Sequence, residues 1–353
     1  MKEKTYPLVT IILLNWNGWK NTIECLESLY QMDYPNYTVI MVDNASQDQS
    51  VARLKSYCQG NLEVENQSFK YSHKERSIEL LEYEYSCQEF IPLQKDRIST
   101  DFPSPQPMVL IRNDKNYGFT KGNNIAMKYA LRYQNPSHIL LLNNDTVVSP
   151  NLLSKMIDLS RKNEKIGFIG PKIYHYPDEG FDEKVIQYAG GKQDLWRFEP
   201  QPIGYGEPDQ GQYDHNQRVD FISGACILAR ATMIREIGLL DEEFFSYREE
   251  NDWCMRGYQH GWFTCYSYQA VVWHKGQGST RNQQPTILYY MTRNRFLFMK
   301  KHATKIQITI FLLIFFLFDS WYRTAASLFY HRQTRLVFCF WKAIKDGLKI
   351  LSQ

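Results

Sequence analysis

Most of the signals that assign a protein quickly are missing from this 353-residue chain. Its seven cysteines form no C-x-x-C pair and are odd in number, which excludes a zinc knuckle or a disulfide framework and fits the reducing cytoplasm. A net charge of only +3 excludes an overall basic coat, so no nucleic-acid partner is expected. There is neither a G-x-G-x-x-G fingerprint nor a Walker lysine. Asn15-Trp-Asn-Gly-Trp19 lacks the paired glycines that bring a nicotinamide dinucleotide's pyrophosphate against the backbone. No internal repeat is visible. The first apolar stretch, residues 9–14, is too short for a signal peptide, and the longest, residues 306–318, falls short of the roughly 20 residues of a spanning helix.

What is present is an alternation. Apolar runs at 9–15, 37–43, 108–113 and 138–143 are separated by helical patterns at 19–31, 46–57 and 120–133, which predicts an α/β fold with a mostly parallel central sheet. The runs are nearly continuous in Val, Ile, Leu and Met, as in strands covered by helices on both faces. Ser46 with Gln49 fits a capping box, and Ser149-Pro150 fits a cap and first-turn proline before a helix at 152–162. Residues 58–107 break the rhythm and are expected to be an insertion, with 79–90 as a short helix over the sheet. Further strands are expected at 167–174, 185–188 and 219–229, and a helix at 231–237.

These patterns divide the chain into an α/β domain over 1–280 and a helical region over 281–353. From residue 296 onward, nine Lys or Arg stand against only Asp319 and Asp346, a balance of +7 that leaves −4 for the rest. Lys300, Lys301, Lys305 and Arg323, with Trp321, Tyr322, Tyr330 and Trp341, flank the 306–318 run. They are the cationic and aromatic anchors of a segment lying at the inner membrane face; a buried core helix with solvated basic flanks is the alternative.

In such sheets ligands bind beyond the carboxyl ends of the strands, where this chain places Asn15, Asn17, Asp43, Asn44, Asn143, Asn144 and Asp145. Either they converge on a ligand or they simply make good turns. Asp145 suits a divalent cation such as Mg²⁺ or Mn²⁺ that arrives with phosphates, because one carboxylate leaves most ligand positions to water and phosphate. Arg248-Glu249-Glu250-Asn251-Asp252 puts three acids in four positions, either to raise one carboxyl into a general base or to complement a helix dipole. His274 is a candidate metal ligand or phosphate contact, or a structural histidine. Asn116-Tyr-Gly-Phe-Thr-Lys-Gly-Asn-Asn124, with Lys121, suits anion recognition at a helix start.

Taken in order, these segments resemble the family 2 glycosyltransferases, particularly bacterial and archaeal rhamnosyltransferases. The matching residues are 9–17, Val42-Asp-Asn-Ala-Ser-Gln-Asp48, 116–124, Leu140-Leu-Leu-Asn-Asn-Asp-Thr146, Ser223-Gly-Ala-Cys226, 237–245, 249–256 and Arg293-Asn-Arg295. The resemblance implies a GT-A type, Rossmann-like domain that binds a dTDP- or UDP-sugar and inverts the anomeric carbon. The acceptor is then a glycan or a lipid-linked sugar. It implies that Asp43 meets the base and that Asn113, Asn116, Gly118 and Asn123 belong to the nucleotide loop. Asn143 and Asp145 occupy the metal signature, in which Asn replaces the usual first Asp, with His274 near the metal. Glu250 takes the position of the catalytic base, with Glu249 and Asp252 as substitutes. Asp252 and Arg256 are implied to orient the base or bind acceptor, and Ser223 and Gly224 to line the sugar pocket. A sugar nucleotidyltransferase lacks its glycine-rich signature here; a non-catalytic glycan-binding or membrane-scaffolding protein is the alternative of another class.

Overall fold

The computed structural model describes residues 5–62, 78–93, 107–177, 184–276, 284–330 and 333–353. The expected alternation appears as β1 (Val9–Asn15), α1 (Trp19–Leu29), β2 (Tyr37–Asp43), α2 (Ser50–Cys58), β5 (Met108–Asn113), α3 (Gly118–Tyr129) and β6 (His138–Asn143). Strand β1 pairs in parallel with β2 and β6, and β2 in parallel with β5. Their side chains are buried on both faces, which accounts for the unbroken apolar runs.

Both capping expectations fail. Helix α2 begins at Ser50, and Ser46 instead accepts hydrogen bonds from Asn15 and Asn17. Helix α4 (Leu152–Ser160) follows Asn151, so Pro150 lies outside its first turn.

Residues 79–90 are strand rather than helix. Strands β3 (Leu80–Ser86) and β4 (Glu89–Pro92) form a hairpin that extends the sheet beyond β5. Cys87 and Gln88 turn it with φ of +51° and +68°, the left-handed pair of a tight hairpin turn. Leu81, Tyr83 and Tyr85 point inward, and Tyr83 packs edge-on against Tyr129 of α3. Residues 63–77 and 94–106 of the expected insertion lie outside the described residues.

The other half of the sheet is mixed. Short β7 (Thr146–Val148), long β8 (Ile166–His175), β9 (Ile186–Tyr188), β12 (Gln217–Val219), β13 (Cys226–Arg230) and β14 (Phe263–His274) complete twelve strands. The expected single strand over 219–229 is two, parted at 220–225 by a loop that reaches the site. A two-stranded ribbon, β10 (Gly191–Lys192) and β11 (Gln201–Pro202), stands apart. Helix α5 (Ala231–Ile237) ends at Gly238, as expected.

After α6 (Glu249–Gln259), the chain ends in a helical layer. Helix α7 (Gln284–His302) packs on α10 (Thr334–Ser352), and between them runs continuous helix over Lys305–Phe329, which contains α8 (Lys305–Ile314) and α9 (Ser320–Ala325). This helix is longer than the apolar run alone implied, and by length and composition it is sufficient to cross a membrane. Phe198, Phe296, Phe311, Phe315, Phe340 and Ile344 form its core against the domain.

Gly347 of α10 lets that layer close, since a Cβ there would meet Phe296 Cδ2 at 2.5 Å and Cβ at 3.0 Å. Alanine normally stabilises a helix interior over glycine, but here the base of a fully buried ring must move. Gly347→Ala is expected to lower stability by about 1–3 kcal/mol in denaturant melts; an unchanged midpoint would show that the layer yields freely.

Candidate active site

Strands β6, β1, β2 and β5 are neighbours in that order, so the Asn and Asp residues at their carboxyl ends converge. Asn15 Nδ2 donates to Asp43 Oδ1 at 2.8 Å and to Ser46 Oγ at 3.1 Å, while its Oδ1 accepts from Thr22 at 2.9 Å. Asn144 Nδ2 donates to the same Thr22 hydroxyl at 2.9 Å. The second Asp43 oxygen accepts from the Ser46 backbone at 3.0 Å. Asn44 is the hub of the next pair of strands. Its Oδ1 accepts from Asn113 Nδ2 at 2.9 Å and Tyr117 N at 3.0 Å, and its Nδ2 donates to Asn116 Oδ1 at 2.9 Å and the Gly118 carbonyl at 3.1 Å. Gly118 has φ +75°, and a Cβ there would sit 2.6 Å from the Phe245 ring. Only glycine fits that turn.

A cleft of about 380 Å³ opens over this edge, lined by Asn44, Asn116, Asn144, Asp145, His274 and Glu250, among others. Ser223 and Gly224 also border it, and a Cβ on Gly224 would stand 3.9 Å from the carboxyl groups of both Glu249 and Glu250. A second hollow, about 410 Å³, is lined by Asp43, Ser46, Glu84, Arg112 and Asn113. There Asn113 Oδ1 is buried without a hydrogen-bond partner.

His274 ends β14 with its ring held by Gln187. The Gln187 Oε1 lies 2.6 Å from Nδ1, and its amide nitrogen faces the His274 carbonyl at 3.4 Å, so Nδ1 carries the proton. Nε2 faces Asp145 Oδ1 at 3.2 Å, a separation that a proton or a cation can bridge. Asn143 Nδ2 stands 3.5 Å from the same nitrogen. Among the described residues no three His, Cys, Asp or Glu side chains gather as a metal site. Asp145 and His274 therefore fit a divalent cation that takes its remaining ligands from phosphate and water.

The acidic turn is shaped by the backbone before it. Phe245, Tyr247 and Arg248 have φ of +64°, +70° and +72°, and the last of them opens directly into α6. Asn294 of α7, fully buried, places Nδ2 2.8–3.0 Å from the carbonyl oxygens of Phe244, Ser246 and Tyr247. Arg293 adds a hydrogen bond to the Glu243 carbonyl at 2.6 Å. Burial, followed by the charge of Glu250, pushes the Glu249 carboxyl well above the carboxylate range, and its Oε2 has no partner. Burial also raises Glu250, but the Arg248 guanidinium works against it. Glu249 thus holds a proton more firmly than Glu250, so Glu250 is the member of the pair more readily ionised.

Four residues assigned to the site from sequence lie elsewhere. Asp252 is buried away from the cleft, accepting from Arg256 Nε and His302 Nε2 at 2.8 Å each; burial would raise its carboxyl, but these two partners lower it. Arg256 spends its other nitrogens on the carbonyls of Ile237 and Leu239, so neither residue is free to meet an acceptor. Lys121 lies over the Tyr117 ring and 3.9 Å from Glu242, and Asn123 donates to the Phe119 carbonyl within its own helix. Asn17 braces the turn at Gln47 beside the cleft. Conversely, Gln187, Tyr247 and Tyr290 of α7 were not legible as site residues; only the Arg293-Asn-Arg295 match pointed to α7.

Because the native state keeps Glu249 protonated where the unfolded chain has released that proton, above about pH 4.5, stability declines as pH rises from there toward the elevated native value. Glu249→Gln is expected to flatten that decline and to melt higher than the parent at pH 7–8. A parallel pH profile in thermal melts would show that Glu249 is ionised in the fold.

The family described as "Glycosyltransferase like family 2" matches residues 102–293, and "Glycosyl transferase family 2" matches residues 10–77. The low-salt glycan biosynthesis hexosyltransferase Agl10 of Haloferax volcanii is 26% identical over 200 residues, 55% of this chain and 62% of the relative. The N-acetylglucosaminyl-diphospho-decaprenol L-rhamnosyltransferase of Mycobacterium tuberculosis is 25% identical over 171 residues, 46% of this chain and 54% of the relative. The match thus spans little more than half the length of these relatives. In fold, the chain is similar to the mannosyltransferase PcManGT of Pyrobaculum calidifontis in complex with GDP-Man and Mn²⁺ (TM-score 0.53, 10% identity, 98% of this chain and 76% of that one). It is likewise similar to S. aureus TarS 1-349 in complex with UDP-GlcNAc (TM-score 0.51, 15% identity, 97% and 81%). Both likenesses place the architecture among GT-A glycosyltransferases. With more than half of its length matched by the family model, the chain belongs to glycosyltransferase family 2.

Proposed function

We propose that the protein transfers one sugar, rhamnose or a similar hexose, from a dTDP- or UDP-linked donor to a lipid-linked or glycan acceptor, inverting the anomeric carbon. The observation that carries this reading is that Glu250 and the Asp145–His274 pair line one cleft at the carboxyl edge of the sheet. The two relatives, named as a hexosyltransferase and an N-acetylglucosaminyl-diphospho-decaprenol L-rhamnosyltransferase, support the same class.

In this mechanism Glu250 accepts the proton of an acceptor hydroxyl as that oxygen attacks the anomeric carbon from the face opposite the diphosphate. The bond from that carbon to the diphosphate oxygen breaks, and its electron pair leaves with the diphosphate. Asp145 and His274 would hold Mn²⁺ or Mg²⁺, which when bound supplies positive charge to the leaving group. Asn113 Oδ1, buried and unpartnered beside Asp43, suits an N–H donor on a pyrimidine base. Ser223 and Gly224 leave room for the donor sugar next to the carboxylates.

The lipid-linked acceptor is favoured by the helix over Lys305–Phe329. Beyond Lys305 at its start, its charged residues Asp319 and Arg323 pair with Arg295 and Glu199, whereas Leu317, Phe318, Trp321, Tyr322 and Phe329 are each at least 63% exposed. Because Phe311 and Phe315 pack on the domain along its inner face, this helix suits lying in the plane of a cytoplasmic membrane surface. Lys305, Arg335, Lys342, Lys345 and Lys349 are exposed nearby for anionic headgroups.

Calorimetric titration tests the donor site. A dTDP or UDP ligand is expected to bind with Mn²⁺ and to lose that metal dependence in Asp145→Ala. Glu250→Gln should keep the affinity while turnover falls by about 10²–10⁴-fold, and the parent's acid limb should lie above the ordinary glutamate value. Turnover of Glu250→Gln at the parent rate would remove Glu250 from the mechanism. At the membrane, the full chain should sediment with phosphatidylglycerol vesicles in a salt-sensitive way, and replacing Phe318, Trp321 and Phe329 by Ser should reduce that binding about tenfold or more; unchanged sedimentation would return the helix to the core.

A further inference from the structure

We infer that Glu199 and Asp319 are positioning residues for transfer, joining the turn that presents Glu250 to the C-terminal helical layer through three arginines. The inference rests on Glu250 being the base and goes beyond it, because neither acid lines the cleft.

The bridge runs from one end of the site to the outer helix. Arg248, the left-handed residue just before α6, is buried and donates from Nη2 to one oxygen of Glu199. The other Glu199 oxygen lies 3.0 Å from Arg295 Nε and 3.4 Å from Arg323 Nη2. Arg295 continues from Nη1 to Asp319, whose second oxygen accepts from Arg323 Nε at 3.0 Å. The Arg295 guanidinium also sits 5.1 Å from the Phe315 ring centroid.

Each end needs this partner. Arg248 Nε has no hydrogen bond, so Glu199 supplies the described anchor for a buried guanidinium. Such a charge is strongly unfavourable when left alone. A left-handed non-glycine backbone at 248 is strained as well and persists only where its surroundings hold it. Asn294 grips the carbonyls up to Tyr247, and Glu199 holds the next residue by its side chain.

The Arg248 charge also acts on Glu250, lowering its carboxyl against the effect of burial. Other ionisable groups around that carboxyl are Glu249 on the same helix, Tyr188 on β9 and Cys254, with Asp145, His274, Tyr247 and Tyr290 lining the same cleft. Removing the carboxylate that neutralises Arg248 therefore leaves its attraction for ionised Glu250 unopposed, in addition to loosening the turn.

The test compares Glu199→Gln with Glu199→Asp in the full chain. Glu199→Gln should lower kcat about tenfold or more, leave donor Kd within about twofold, and move the acid limb of kcat to lower pH; Glu199→Asp, which keeps the charge, should recover most of the rate. A kcat unchanged in Glu199→Gln, or one lowered equally at every pH with donor Kd raised in proportion, overturns the inference. If Glu199→Gln does not fold, Asp319→Asn decides, since it spares the Arg248–Glu199 contact. A fall in kcat at unchanged donor Kd supports the bridge, and parent kinetics overturn it. Should Glu250→Gln retain turnover, the base assignment fails; should it be inactive while Glu199→Gln is normal, only the bridge fails.

Discussion

The site depends on one buried amide. Asn294 spreads its two amide hydrogens over three carbonyls and so holds a turn in which three non-glycine residues have left-handed backbone. Each such residue costs free energy on its own, and together they aim α6 so that its first two residues face the sheet edge rather than solvent. Without that grip, the acids would open an ordinary helix start, where they complement the dipole and stay ionised. Their burial, and with it the separation of a protonated Glu249 from a more acidic Glu250, follows from the turn.

The opposite wall is built from neutral amides. Asn15, Asn44, Asn113, Asn116 and Asn144 link four strand ends through side-chain hydrogen bonds, with the Asp43 carboxylate as one acceptor. Apart from Asn113 Oδ1, a polar edge of this kind is satisfied internally and keeps its shape whether or not an anion is present. It also leaves Asp145 as the single carboxylate of its strand end, which limits how strongly a cation is held before phosphate arrives.

Much of this was legible in the chain. The four strands at the parallel centre carry continuous apolar runs because both faces are covered, and they appear with the expected bounds. The convergence of their polar ends needed only strand adjacency. The hairpin at 80–92 was misread because Cys87-Gln88 is an unusual pair for a turn that requires two positive φ values, and Asn-Gly or Asp-Gly would have marked it. Asp252 and Arg256 were misplaced for a different reason. Their spacing of four residues is that of an intrahelical ion pair, and motif position alone does not tell which side of α6 they occupy. Gln187 carried no signal at all, since its role arises from two strands distant in sequence meeting at His274.

The two ends of the sheet bear on how the protein behaves at high concentration. A long open sheet presents unpaired backbone groups at its rims, which template strand addition between molecules. Among the described residues, the outermost strand on one side, β4, is four residues long and ends in Pro92, which has no N–H to donate; Glu89 begins it. On the other, β12 is three residues long, with Arg218 at its middle stacked on Phe263 at 3.5 Å. Short, charged and proline-ended strands at the rims of the described sheet disfavour edge-to-edge growth into fibrils.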